Sequence, residues 1–239
     1  EVTYLDKDGT TKYAHTTSYG ISERVIASML AIHGDDNGLL LPPNVAPIQV
    51  VIVPIPQEGY DTKGEAAKVE AELKEDGIRA LADLRDDKTP GWKFNDWEMR
   101  GVPIRVEIGP RDMDKKTVIV ARRDTGEKYE VPRQDVVNFL RKLMVEIGDN
   151  MRKEAWSNLR KSIHYVSSMQ EALNNLGTGI IMIPWSGDEQ CGIKIQEQLD
   201  ASILGIPIDE EPTEQIGGEK DLACPEKNAN YWVRVSRRY

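Results

Sequence analysis

Cysteine and histidine are both scarce in this chain, with two of the former and three of the latter in 239 residues. Two cysteines cannot build the dense disulfide framework of a small secreted domain. Three scattered histidines assemble no Ser/His/Asp or Cys/His triad, and His164 reads as a lone surface or hydrogen-bonded histidine. No apolar run approaches the roughly 20 residues of a membrane-spanning helix, and no secretory leader is recognisable. Positive charge is not in excess either: the net charge is -9. That argues against a nonspecific nucleic-acid coat but leaves room for a local basic surface. Repeats and low-complexity tracts are missing too. A cytoplasmic globular protein with one large or two small cores fits these bounds.

The richest stretch is Tyr13 to Pro43. Tyr13 to Tyr19 is aromatic and β-branched, as a strand would be, and Gly20 breaks it. Ser22 is a candidate N-cap for a helix whose apolar stripe is Val25, Ile26, Met29 and Leu30. Arg24, in its first turn, is either a solvated charge or a guanidinium held to stack on a base and face phosphate. Asp8-Gly9 suits a hairpin turn upstream. Gly34 to Gly38 is a turn cluster whose carboxylates either bind a metal or, the favoured reading, serve their own backbone. Leu39 to Leu41 reads as a short strand, and Pro42, Pro43 and Pro47 form a stiff linker.

From Ile48 strands and helices alternate, which predicts a mixed or parallel sheet with helices on its faces. Gln49 to Ile55 is a continuously apolar strand. Lys63 to Asp76 is helical, Ile78 to Leu84 a strand, Pro90 to Arg100 a helix, and Val102 to Ile108 and Thr117 to Arg122 are strands. A long helix starts at Pro132 and is expected to reach Val166, with an irregularity at Gly148. Ile180 to Pro184 and Tyr231 to Val235 read as strands, Cys191 to Leu204 as a helix, and Asp209 to Lys220 as a mobile acidic loop. Taken alone, Phe94 is a core residue, Glu98 a solvated helix charge, and Trp92 and Trp97 packing residues. Arg122, Arg123 and Lys128 either steer a phosphate backbone or solvate a hairpin tip.

SYGISERVI, the following HGDDNGLLLPPNVAPIQVVIVPI, EIGPRD, RRDTGEKYEV, IPWSGDEQCG and the aromatic C-terminus occur in this order. Together they resemble the prolyl-tRNA synthetases of the archaeal/eukaryotic-like group, from motif 3 of the class II catalytic domain onward. One departure is that motif 3 keeps only Gly20 of the paired glycines general to class II. Motifs 1 and 2 are not found, so the chain is expected to be a C-terminal portion.

The resemblance implies an α/β fold in four parts. Residues 1–44 would be the end of an antiparallel catalytic sheet, and 45–145 a mixed-sheet anticodon-binding domain. A connecting helix would occupy 146–175, and a small α/β module 176–239. It implies proline activation by ATP with Mg2+, transfer to the 3′ end of tRNA(Pro), and a homodimer. Arg24 matches the arginine that stacks on adenine, and Thr17, Ser18, Tyr19, Gly20 and Ser22 fall in the ATP and proline pocket. The anticodon contacts map onto Phe94, Glu98, Arg105 and Arg111, residue types able to stack on and pair with guanine. Zinc in the C-terminal module is doubtful. Two of its four ligand positions hold Cys191 and Cys224, the other two Ser186 and Lys227, and lysine is not a zinc ligand. The cysteines either stay as thiols or close as a disulfide if their Cα atoms lie within about 7 Å. The competing readings are a non-catalytic anticodon-type module and another class IIa synthetase.

Overall fold

The computed structural model describes residues 2–208 and 216–237. It divides into two compact units, residues 1–151 and 152–239. Unit one opens with a hairpin of β1 (Thr3–Leu5) and β2 (Thr11–Tyr13). Its connection runs from Asp6 to Thr10, longer than a two-residue turn, with Gly9 at φ 80°. The strand expected through Tyr19 stops at Tyr13, and residues 14–22 are irregular and almost wholly exposed. Without a neighbouring strand, β-propensity alone does not order a segment. α1 follows at Arg24–His33. Its N-cap is Glu23, not Ser22, and no side chain caps it. The stripe is unpartnered: Val25 and Ile26 are 58% and 59% exposed.

The sheet of unit one has the order β4-β3-β5-β6-β7. It comprises β3 (Val50–Pro54), β4 (Ala80–Ala82), β5 (Ile104–Ile108), β6 (Thr117–Arg122) and β7 (Lys128–Pro132). β3 pairs in parallel with β4 and β5, and β6 is antiparallel to β5 and β7. α2 (Thr62–Glu75), α3 (Pro90–Met99), α4 (Pro110–Lys115) and α5 (Val136–Lys161) complete the order. Every residue of β3 is buried because helices cover both faces. Val50 and Ile52 join Ala66, Val69 and Leu73 of α2 and Leu140, Leu143 and Ile147 of α5. Val51 and Val53 point the other way, onto Trp97 of α3. This alternation is the two-residue period of a strand sandwiched between helices.

α3 starts cleanly because Thr89 accepts from the Trp92 backbone N–H and Pro90 occupies the first turn. Leu39 to Leu41 is no strand. Leu39 N–H donates to Met99 O at 2.9 Å and Leu41 N–H to Gly101 O at 3.2 Å, laying the segment against the end of α3. The approach is tight. A Cβ on Gly101, at φ 73°, would stand 2.6 Å from the Leu39 backbone.

α5 ends at Lys161 rather than Val166 and is continuous through Gly148. Ile163–Tyr165 is instead β8, recruited by parallel pairing with β9 (Ile180–Trp185). Unit two adds α6 (Met169–Asn175), α7 (Glu189–Leu199), β10 (Ser202–Gly205) and β11 (Tyr231–Ser236). Its sheet order is β10-β11-β9-β8. Ala172, Leu176, Ile195 and Leu199 pack on Ile181, Ile183, Val233 and Val235. The helix expected to reach Leu204 ends at Leu199, with Asp200 at φ 48°. Residues 209–215 of the expected acidic loop lie outside the described residues. Among the described residues no helix is long and apolar enough to cross a membrane.

Candidate functional site

α3 and β5 place the predicted base-reading residues. Phe94 and Glu98 are four apart on α3 and share one face. Arg105 lies on β5, and its guanidinium sits over the Phe94 ring, 4.2 Å from the centroid. A cavity of about 140 Å³ opens here, lined by Trp97, Glu98, Arg105, Arg122, Arg123 and Lys128, among others. That is too small for a nucleotide, for which pockets of several hundred Å³ are usual, but open enough for the edge of one base. Arg111 is not brought into it. It is exposed on the first turn of α4 and makes no hydrogen bond or ion pair.

Two of the four cations around the cavity are buried pillars, neither phosphate-steering nor solvated. Arg122, 9% exposed, forks onto both Asp124 oxygens at 2.7 Å. Burial opposes ionisation of Asp124, but hydrogen bonds from Arg122 and Asn150 prevail and hold its carboxyl below the usual range. Arg123 forks onto Asp35 at 2.6 and 2.8 Å and donates from Nε to the Glu98 carbonyl at 3.1 Å. It therefore ties the turn after α1 to the C-terminal end of α3. The hydrogen bonds from Arg123 lower the Asp35 pKa. Lys128 and Arg105 both pair with Glu107. The half-buried Glu98 carboxylate interacts electrostatically with the Arg123 guanidinium, but among the described residues no group donates a hydrogen bond to it. It is the open acceptor of the cavity.

Sequence reasoning passed over Glu107 and Asp35. Arg105 and Glu107 alternate along a strand, which puts them on one face and could have been read. The Asp35–Arg123 pair, separated by 88 positions, carries no local signal.

Behind the cavity, Asp83 is 3% exposed. It accepts from Arg85 at 2.9 and 2.6 Å and from Trp97 Nε1 at 2.8 Å. Burial opposes its charge, yet the Arg85 and Trp97 hydrogen bonds depress its pKa strongly. Trp97 is thus both core and anchor. Trp92 is not a core residue: it is 44% exposed, with Arg85 and Lys88 5.2 and 5.0 Å from its ring centroid. A larger recess of about 480 Å³ beside α2 and α4 is bridged by Arg133, which pairs with Glu65 and Glu72. That makes it a structural brace.

The motif 3 residues stand apart. Thr17, Ser18, Tyr19, Gly20, Ser22 and Arg24 are all exposed, and none of them lines the two recesses described above.

In unit two Cys191 and Cys224 form a disulfide with Cα atoms 5.9 Å apart. Asp221 is grouped with them, but its carboxylate already accepts from the backbone N–H of Ser186 at 2.7 Å and of Ala223 and Cys224 at 3.0 Å. Lys227 pairs with Asp188 at 2.9 Å, and Asp188 caps α7. The residues present do not fit a closed tetrahedral zinc site.

The family model for "Anticodon binding domain" matches residues 49–143, and that for "Prolyl-tRNA synthetase, C-terminal" matches 167–239. Curated relatives align over the whole chain. The proline–tRNA ligases of Pyrobaculum islandicum and Pyrobaculum neutrophilum are 52% and 53% identical over 245 residues, and that of Pyrococcus horikoshii 45% over 242. The chain belongs to the prolyl-tRNA synthetase family. It corresponds to the C-terminal portion of that family, and spans about half the length of the curated relatives it matches.

Proposed function

We propose that this chain is the C-terminal part of a cytoplasmic, homodimeric proline–tRNA ligase, and that unit one reads the anticodon of tRNA(Pro). The observation that carries the reading is that the Glu98 carboxylate, which accepts no hydrogen bond among the described residues, lines the same cavity as the Arg105 guanidinium. A guanine presents N–H donors on its Watson–Crick edge and acceptors at O6 and N7. A carboxylate and an arginine fork side by side complement both sets, and Phe94 supplies an apolar wall for stacking. Prolyl anticodons carry two guanines. Arg111, at the start of α4, would reach a phosphate or a second base outside the cavity.

In the catalytic half, Arg24 would stack on the adenine of ATP, which enters with Mg2+ as substrate. Thr17 to Gly20 and Ser22 would line the adenylate and proline pocket. Activation then rests on positioning and on stabilising phosphoryl charge, with no protein nucleophile needed. Their exposure here fits a pocket completed by the remainder of the catalytic domain.

The test is aminoacylation by the full-length enzyme with Glu98→Ala or Arg105→Ala, using a prolyl tRNA transcript and one with its anticodon guanines replaced. Each variant should lose roughly 1–3 kcal/mol of discrimination, the worth of a good base contact. Discrimination unchanged in both would place the reader elsewhere. A non-catalytic RNA-binding module would instead show no dependence of proline activation on Arg24.

A further inference from the structure

Glu107 is 6% exposed and pairs with two of the cations that line the cavity, Arg105 and Lys128. Its Oε1 accepts from Arg105 Nε at 3.1 Å and Nη2 at 2.9 Å. Lys128 Nζ donates to both of its oxygens, at 2.9 and 3.3 Å. The two cations so held lie over one ring, 4.2 and 5.9 Å from the Phe94 centroid. One buried carboxylate therefore sets the direction of both flexible donors that face the open Glu98.

We infer that Glu107 is a positioning residue for base recognition, fixing Arg105 and Lys128 at the cavity wall and cancelling one of their two charges. The inference rests on the anticodon reading above. A guanidinium recognises guanine through a fork of fixed geometry, and a free arginine must surrender rotamer freedom to provide it. Charge matters as well. Two uncompensated cations attract any phosphate backbone, which adds binding without sequence preference. Glu107 thus sharpens discrimination from both sides, aiding the right base and withholding general attraction.

The test uses full-length enzyme with Glu107→Gln, Arg105→Ala and the double substitution, assayed with the prolyl and guanine-replaced transcripts. Glutamine keeps the shape and removes the charge. In Glu107→Gln the ratio of kcat/KM between the two transcripts should fall about tenfold. The KM for the prolyl transcript should rise while kcat holds, and binding of the replaced transcript should steepen in salt by about one counterion. Adding Glu107→Gln to Arg105→Ala should cost no further discrimination, and Glu107→Asp, which restores the charge, should recover part of it. If Glu107→Gln stays within twofold of wild type while Arg105→Ala loses discrimination, the inference is overturned and the cavity reading stands. If Arg105→Ala itself loses none, the cavity reading has failed. An equal loss of kcat/KM on both transcripts would mark Glu107 as a folding residue only and also overturn the inference.

Discussion

Reduction of the Cys191–Cys224 disulfide should loosen the second unit far more than any metal chelator. The bridge joins residues 33 apart in sequence. Closing a loop of that length in the unfolded chain corresponds, in the chain-entropy relation, to about 4 kcal/mol. The same two segments are also joined by the hydrogen bond from the Ser186 N–H to Asp221 at 2.7 Å and by the ion pair of Lys227 with Asp188, whose side chains are 40% and 41% exposed. A pair so exposed contributes at most about 1 kcal/mol. The bridge therefore dominates, and for a unit of this size its loss should lower the melting temperature by on the order of 20 °C. The assay is differential scanning calorimetry of the protein with and without dithiothreitol, alongside thiol counting in denaturant. The expected count is no free thiol before reduction and two after, with EDTA leaving the transition unmoved. A melting temperature insensitive to reduction, or one tightly held zinc per chain whose removal lowers it, would refute the reasoning.

Arg24→Ala in the full-length enzyme should abolish proline-dependent pyrophosphate exchange and leave tRNA binding near wild type, because the side chain is exposed and outside the core. Near-normal exchange would remove Arg24 from the adenylate site. Asp83→Asn breaks a buried acceptor with three side-chain donors, and should destabilise unit one by roughly 3 kcal/mol in urea titration. The pKa of Asp83 is depressed in the fold, so the native state binds fewer protons than the unfolded chain near pH 4 and below. Its contribution is then full above about pH 4 and is lost as pH falls through the folded value, and Asp83→Asn should flatten that acid limb. Gly101→Ala puts a Cβ 2.6 Å from Leu39 backbone at φ 73° and should cost about 2–4 kcal/mol. A variant as stable as wild type would show that the linker can move away from α3.

The alternation of apolar strands and capped helices from Val50 to Arg122 was written locally. The unbroken run of β3, the Thr89-Pro90 start of α3 and the Ala66, Val69, Leu73 stripe of α2 each sit within a few residues of one another. Period and caps act over one or two turns, so the chain declares them without its partners. The motifs likewise named the family, and through it proposed Phe94, Glu98, Arg105 and Arg111 as contacts for the anticodon. The tertiary structure decided where pairing was remote. β8 has only three residues and no periodicity of its own; it exists because β9 hydrogen-bonds it, and α5 stops at Lys161 to make room. His15 to Tyr19 shows the converse, a strand-like sequence left irregular where no described strand pairs with it. The joining of Arg123 to Asp35 across 88 positions, and the choice of a disulfide for Cys191 and Cys224, also came from the fold. Such contacts carry no periodic trace. Their geometry is set by how two separately formed elements close on each other, and only the packed chain contains that distance.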